Sequence, residues 1–310
     1  MAYSEEIGMS DDLAGKVAVV TGAGRGVGRA YAHALAERGV RVVVNDLNDG
    51  ADASPADHVV SEIEERGGYG VANCDDISDY EGAGRMVSAA LQAFGRLDIV
   101  VANAGIIRPA LLRNSSPEDW NATFAVHATG TFNCIRQSAQ HLIDGGGGTI
   151  ITTGDVTTDL LFPMNGAYRA AKAAVAVTTL YAADELRDYN INVNSVMPGA
   201  TATRMVQTYM NSLGARADAF TSDVVRRRDK IAQEADPAAP ETVPPLGIFL
   251  CTSQARWITG KLFQVNAGQI RYVTSTTQAR FVRADDGLWT ADALAEQIPR
   301  LIADPDRAKV

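Results

Sequence analysis

Tyr168 and Lys172 stand four residues apart, and that pair can do proton chemistry. On a helix the spacing puts both side chains on one face, with Cβ atoms about 5–6 Å apart. A free tyrosine has a pKa of about 10, too high for a base at neutral pH. A nearby ammonium favours the phenolate and lowers that value. Such a phenolate can take a proton from a hydroxyl as another bond at the same carbon breaks. Thirteen residues before the tyrosine stands Asp155. An ionised carboxylate only accepts hydrogen bonds. Beside a developing alkoxide or a tyrosinate it is repulsive, so its presence demands an explanation.

The elements that must position these residues alternate along the chain. Short β-branched runs predict strands at Lys16–Val20, Arg41–Asp46, Tyr69–Asn73, Leu97–Gly105, Thr149–Thr153, Ile191–Gly199 and Lys261–Gly268. Helical patterns fill Val27–Arg38, Asp57–Arg66, Ser78–Phe94 and Gly166–Asp188. A further long helix is expected from Ser116-Pro117, a start signal, to Leu142. Continuous apolar strands separated by helices mean a seven-stranded parallel sheet covered on both faces, a doubly wound α/β domain. The expected divisions are an N-terminal arm (1–13), one catalytic domain (14–270) and a C-terminal extension (271–310). In the extension, VTSTTQARFVRA reads as a hairpin and TADALAEQIPRLIAD as a terminal helix. Residues from about 205 to 240 interrupt the strand–helix rhythm and read as a lid over the sheet's C-terminal edge.

Bulk composition narrows the function classes. Hydrophobic residues make up 46 % and charged residues 21 %, ordinary for a soluble globular chain. With 28 Lys plus Arg against 37 Asp plus Glu, the formal charge is −9, which argues against nucleic acid and anionic membrane partners. No apolar run reaches the length of a membrane span. The three cysteines and four histidines are scattered without metal-ligand spacing, so no metal is expected. An odd number of isolated cysteines suits a reducing compartment, with the cytoplasm as the expected location.

The first strand runs into TGAGRGVG, Thr21–Gly28, which opens a helix. Gly22, Gly26 and Gly28, with Arg25 and Val27 between them, let backbone approach a pyrophosphate at a helix N-terminus. Asp46, ending the second strand, can accept from ribose hydroxyls and would repel a 2′-phosphate, which favours NAD over NADP. Arg25 pulls the other way unless it is a solvated loop residue. Asp76 and Ile77 can meet the adenine, or Asp76 or Asp75 helps cap the helix starting near Ser78. Asn103, Ala104 and Gly105 end the fourth strand, where small residues let the backbone pass close to a cofactor.

Taken in order, TGAGRGVG, Ala102–Gly105, Tyr168 with Lys172, and Pro198-Gly199 with Thr203 resemble the short-chain dehydrogenase/reductase family over about residues 14–268. TGAGRGVGRAYAHALAERGVRVVVND and FGRLDIVVANAGIIR are similar, more closely, to the dehydrogenase part of the peroxisomal multifunctional enzymes. Those enzymes oxidise 3-hydroxyacyl-CoA thioesters and some hydroxysteroids with NAD. The resemblance implies a NAD-dependent oxidoreductase of an apolar secondary alcohol or ketone. It makes Tyr168 the acid/base and Lys172 its pKa modifier and a clamp on the nicotinamide ribose. Pro198, Gly199, Thr201 and Thr203 would line the cofactor. It also implies a homodimer or homotetramer, paired through the helices at Pro117–Leu142 and Gly166–Asp188.

Two positions depart from the family pattern. His127 stands where an Asn is usual; it either holds a water on the route to Lys172 or packs a helix. Asp155 stands where a Ser steadies the substrate oxygen, and three readings follow. Asp155 is protonated and donates. Or Thr153, Thr157 or Thr158 supplies the hydroxyl while Asp155 turns to solvent or to a cationic substrate group. Or ordinary dehydrogenation is lost, leaving a NAD-binding protein or a lyase or dehydratase. Met205, Tyr209, Met210, Leu213 and Phe220, with Leu160, Leu161 and Phe162, form an apolar pocket or simply pack the lid.

Overall fold

The computed structural model describes residues 12–48, 50, 52–156, 163–215, 237–266 and 269–273. In chain order the first half runs β1 (Val17–Thr21), α1 (Gly26–Ala36), β2 (Arg41–Asn45), α2 (Pro55–Glu65), β3 (Gly70–Asn73), α3 (Tyr80–Phe94) and β4 (Ile99–Ala102). The second half runs α4 (Pro117–Phe124), α5 (Gly130–Asp144), β5 (Gly148–Thr152), α6 (Gly166–Leu186) and β6 (Ile191–Pro198). It ends with α7 (Arg204–Ala215), α8 (Pro244–Leu250), β7 (Leu262–Asn266) and β8 (Gln269–Val273).

The strands form one sheet in the order β3-β2-β1-β4-β5-β6-β7-β8. Every pairing is parallel except β7 with β8. Every residue of β1, β4 and β5 is buried, as expected of central strands covered on both faces. One face carries a core that includes Tyr31, Leu35, Ile63 and Leu250. The other carries Met86, Cys134, Leu142 and Ala182. Strand order reverses between β1 and β4, so a crevice opens there beyond the strands' C-terminal ends.

Local chemistry sets the helix starts. Ser54 and Asp57 form a reciprocal capping box on α2. The Ser116 hydroxyl accepts from the Asp119 N–H, with Pro117 in the first turn of α4. α3 begins at Tyr80 rather than Ser78, because the Asp79 side chain caps it by accepting from the Gly82 N–H.

Two expectations need correction. The sheet has eight strands, not seven: Gln269–Val273 returns antiparallel along β7. Its residues are mostly exposed, so the strand lacks the apolar signal that marked the others. The hairpin partner of β7 is therefore QIRYV, whereas the rest of the extension, 274–310, lies outside the described residues. The long helix expected up to Leu142 is interrupted by a π-helical turn at Ala125–Thr129, between α4 and α5. Such turns insert one extra residue and re-aim a side chain, here His127.

Candidate active site

The crevice holds a cavity of about 310 Å³. One wall of it is the turn between β1 and α1. Gly22 has φ +60°, and a Cβ there would stand 2.8 Å from the Ala104 Cα, so only glycine lets the ends of β1 and β4 approach. A Cβ at Gly28 would meet the Gly22 carbonyl oxygen at 2.2 Å. Gly28 thus sits behind the turn and shapes it, while Gly22, Arg25, Gly26 and Val27 line the cavity. No side chain caps α1 at Arg25. The first-turn N–H groups keep their capacity for an anion.

Asp46 lines the same end and its carboxylate is fixed, accepting from the Gly24 N–H at 2.8 Å. Burial raises its pKa; the Gly24 N–H, the Arg25 charge, the Leu47 N–H and the Arg204 charge offset part of that rise. Asp76 and Ile77 also line the cavity. One Asp76 oxygen accepts from the Ser78 N–H at 2.8 Å in the turn before α3, whose cap is Asp79 and not Asp76. Asp75 is spent on an ion pair with Arg85 at 2.6 Å. Asn103 works as a clamp between strands. Its amide donates to the Thr21 carbonyl at 2.9 Å, and the Asn103 and Ala104 N–H groups both donate to the Thr21 hydroxyl at 3.0 Å. Asn103, Ala104 and Gly105 all face the cavity, as do Pro198, Gly199, Thr201 and Thr203 beyond β6. The Gly199 N–H is held by the Val265 carbonyl at 2.7 Å, and a bridge from Thr201 to Ala238 pins the segment leading into α7.

At the other end α6 presents Tyr168 and Lys172 to the cavity. The Lys172 ammonium donates to the Thr153 carbonyl at 2.5 Å and lies 5.7 Å from the centre of the Tyr168 ring. Burial pulls Lys172 down to about 8, with Asp155 opposing. Tyr168 is pushed up to about 12, first by burial and then by Asp155, while Arg169 lowers it. The sign is opposite to the activation expected from the spacing alone. Lys172 is turned to a carbonyl, and the cation that tempers Tyr168 is Arg169.

His127 lies just behind this wall: a Cβ at Gly105 would stand 2.4 Å from its Cε1. Its ring meets that of Tyr168 edge-on, with centroids 5.0 Å apart. Nε2 is 2.8 Å from the Ile106 carbonyl and 3.1 Å from the Ile106 N–H. Nδ1 is buried without a hydrogen-bond partner among the described residues. Burial and the Lys172 charge lower its pKa to about 3, so the ring is neutral.

Asp155 also lines the cavity, and its carboxylate accepts from the Arg169 guanidinium in a part-buried ion pair. It is thus engaged as an acceptor, not as a hydroxyl-like donor. The partner described for it is a cation of its own chain. Thr153 lines the cavity, whereas Thr157 and Thr158 lie outside the described residues. Arg169 is the functional candidate that sequence reasoning missed. The available signal was a lone charge beside Tyr168 in YRAAK, in a helix start otherwise made of small residues.

Lid packing is closed on itself. Tyr209 and Leu213 bury against Met164, with Met210, Ile107 and Leu111 around them, and the Tyr209 hydroxyl donates to the Pro163 carbonyl at 2.8 Å. Of the described members of the expected apolar set, Met205 alone lines the cavity. Phe220, Leu160, Leu161 and Phe162 lie outside the described residues. Arg204, at the first position of α7, is a cavity residue not foreseen. No described helix is long and apolar enough to cross a membrane.

Comparison with known proteins agrees with this geometry. The family model described as short chain dehydrogenase matches residues 16–213. Hydroxyacyl-CoA dehydrogenase ChsB1 of Mycobacterium tuberculosis is 35 % identical over 310 residues, covering 96 % of this chain and 92 % of that one. Peroxisomal multifunctional enzyme type 2 of Mus musculus is 37 % identical over 261 residues, covering 83 % of this chain but 32 % of the larger protein. The crystal structure of a short chain dehydrogenase from Mycobacterium avium superposes with a TM-score of 0.80 at 35 % identity, over 95 % of this chain and 97 % of that one. With the glycine turn, the switch-point cleft and the tyrosine–lysine pair all in register, the chain belongs to the short-chain dehydrogenase family, oxidoreductases that bind a nicotinamide dinucleotide.

Proposed function

We propose that this chain is a NAD-dependent oxidoreductase acting on a secondary alcohol or its ketone. One observation carries the reading: a single cavity is lined at one end by Asp46 and the glycine turn and at the other by Tyr168 and Lys172. The cleft fits an extended dinucleotide. The first turn of α1 is uncapped, and a fixed carboxylate stands where ribose hydroxyls need an acceptor. The same carboxylate opposes a 2′-phosphate, which supports NAD.

Bound here, the nicotinamide ring supplies the hydride donor or acceptor that no side chain provides. The proton belongs to Tyr168. Pushed up to about 12, its phenol is protonated at neutral pH, the form that donates to a carbonyl during reduction. Oxidation needs the phenolate, and therefore positive charge in the closed cleft. Arg169 supplies part of it, and Lys172 contributes once protonated. The free Nδ1 of His127, beside Lys172, is suited to hold a water that hands protons onward. Asp155, paired with Arg169, sets how costly the phenolate is.

The hydroxyacyl-CoA dehydrogenase among the relatives supports a greasy hydroxyacyl or hydroxysteroid-like substrate. Exposed Trp120 and Phe132 on α4 and α5, and Val177 and Tyr181 on α6, support assembly of copies through these helices. Replacing Tyr168 by Phe tests the reading. Turnover of a panel of hydroxyacyl and steroid alcohols should vanish while NAD affinity, read by calorimetry, stays within about twofold. Retained turnover removes Tyr168 from the role, and absent NAD binding in the parent chain removes the reading.

A further inference from the structure

Among the described residues, seven charged ones line the cavity: Asp46, Asp75, Asp76 and Asp155 against Arg25, Lys172 and Arg204. A dinucleotide brings two more negative charges in its diphosphate. Lys172 is committed to the opposite end, on the Thr153 carbonyl. Among the described lining residues, the positive charge near the glycine turn comes from Arg25 and Arg204.

The backbone brings these two arginines together. A Cβ at Gly26 would stand 3.1 Å from Thr203 Cγ2, so the glycine turn and the start of α7 touch. Arg25 immediately precedes one contact residue and Arg204 immediately follows the other. Both guanidinium charges act on Asp46, so both stand near the adenosine side of the cavity. Arg204 approaches from the first turn of α7, beside the N-terminus of α1.

We propose that Arg204 is the lid's own ligand for the dinucleotide diphosphate, so that α7 is tied down when the cofactor binds. The inference rests on the dinucleotide reading above and extends it to a residue outside the glycine turn. α7 has 12 residues and is about 18 Å long. Its Tyr209 holds the Pro163 carbonyl, and its Leu213 packs on Met164, two residues before α6 begins at Gly166 and four before Tyr168. One rigid helix therefore joins the diphosphate contact to the loop that leads into the catalytic tyrosine.

The test uses the full chain, with adenosine diphosphate ribose as the probe. Calorimetry on the parent, R204A, R204Q and R204K should show affinity lost about tenfold in R204A and R204Q and largely restored in R204K, as a charge-assisted contact requires. Amide exchange across 204–215 should slow on adding the probe to the parent and stay unchanged in R204A. Should R204A fail to fold, R204Q carries the comparison. A parent that binds the probe while R204A and R204Q bind it within twofold overturns the proposal alone. So does equal slowing of exchange in α7 of the variants. A flat titration of the parent instead overturns the dinucleotide reading, and the proposal with it.

Discussion

Asp155 and Arg169 form an ion pair directly beside Tyr168, with Arg169 the next residue along α6 from it. The two charges act on the phenol in opposite directions: Asp155 raises its pKa and Arg169 lowers it. In the proposed mechanism the pair would adjust the proton step at Tyr168.

If oxidation needs the phenolate, kcat/KM falls as pH drops below the tyrosine's working pKa. Asp155→Asn removes the raising charge, so the acid limb of that profile should move to lower pH. Arg169→Ala removes the lowering charge and leaves Asp155 without this partner, so the limb should move to higher pH. Arg169→Lys should stay near the parent. pH–rate profiles of the three variants check the order, and a limb that ignores both substitutions would disconnect the pair from Tyr168.

Asp46→Ser should shift cofactor preference. Losing the carboxylate removes one acceptor for ribose hydroxyls and the repulsion of a 2′-phosphate, with Arg25 and Arg204 still close by. NAD affinity should fall about tenfold and NADP affinity should rise by at least as much. Parallel titrations with the two dinucleotides measure the ratio.

His127 makes stability depend on acid. Its ordinary value of 6.5 falls to about 3 in the folded chain, so below pH 6.5 the unfolded state binds a proton that the folded state refuses. Stability present above pH 6.5 is lost as pH falls toward 3, at up to about 1.4 kcal/mol per pH unit from this group. His127→Asn should flatten that slope. Urea unfolding at pH 5 and pH 7 gives the comparison, and an unchanged slope assigns the acid sensitivity elsewhere.

Gly247 on α8 carries the Tyr31 ring against its backbone: a Cβ there would stand 2.3 Å from the Tyr31 hydroxyl. That hydroxyl is buried with no hydrogen-bond partner among the described residues. Gly247→Ala should destabilise by about 1–3 kcal/mol through overpacking. Tyr31→Phe alone should be neutral or stabilising by up to about 1 kcal/mol, because it removes an unsatisfied polar atom. The double variant should recover only part of the loss, because the ring's Cε1 and Cζ would still stand 2.5 and 2.8 Å from the new Cβ, and a thermodynamic cycle on the four proteins tests the coupling.

The glycine turn, Asp46, Tyr168 and Lys172 were legible because their chemistry demands few residue types at fixed local spacing. Arg169 was not, because the direction of its side chain is decided by Asp155, which lies on the segment after β5. Arg204 was hidden for a similar reason: the touch between Thr203 and Gly26 spans most of the chain. The π turn around His127 has no compositional mark, since a single extra residue in a helix leaves the apolar pattern nearly intact. β8 escaped because an exposed edge strand need not alternate apolar and polar residues. The upward shift of Tyr168 was invisible for a different reason. Burial dominates it, and burial belongs to the assembled cleft.

β1 lies between β2 and β4, and its Ala18 pairs with Ile99. All the residues of three strands and three helices precede that partner in the chain. During synthesis at the ribosome, the nascent N-terminal half therefore waits with one rim of its middle strand unzipped. Closing that rim is a long-range event, which slows folding and prolongs the aggregation-prone interval. A fragment cut off before Ile99 would keep the glycine turn but never gain the Ala104 backbone that seals it.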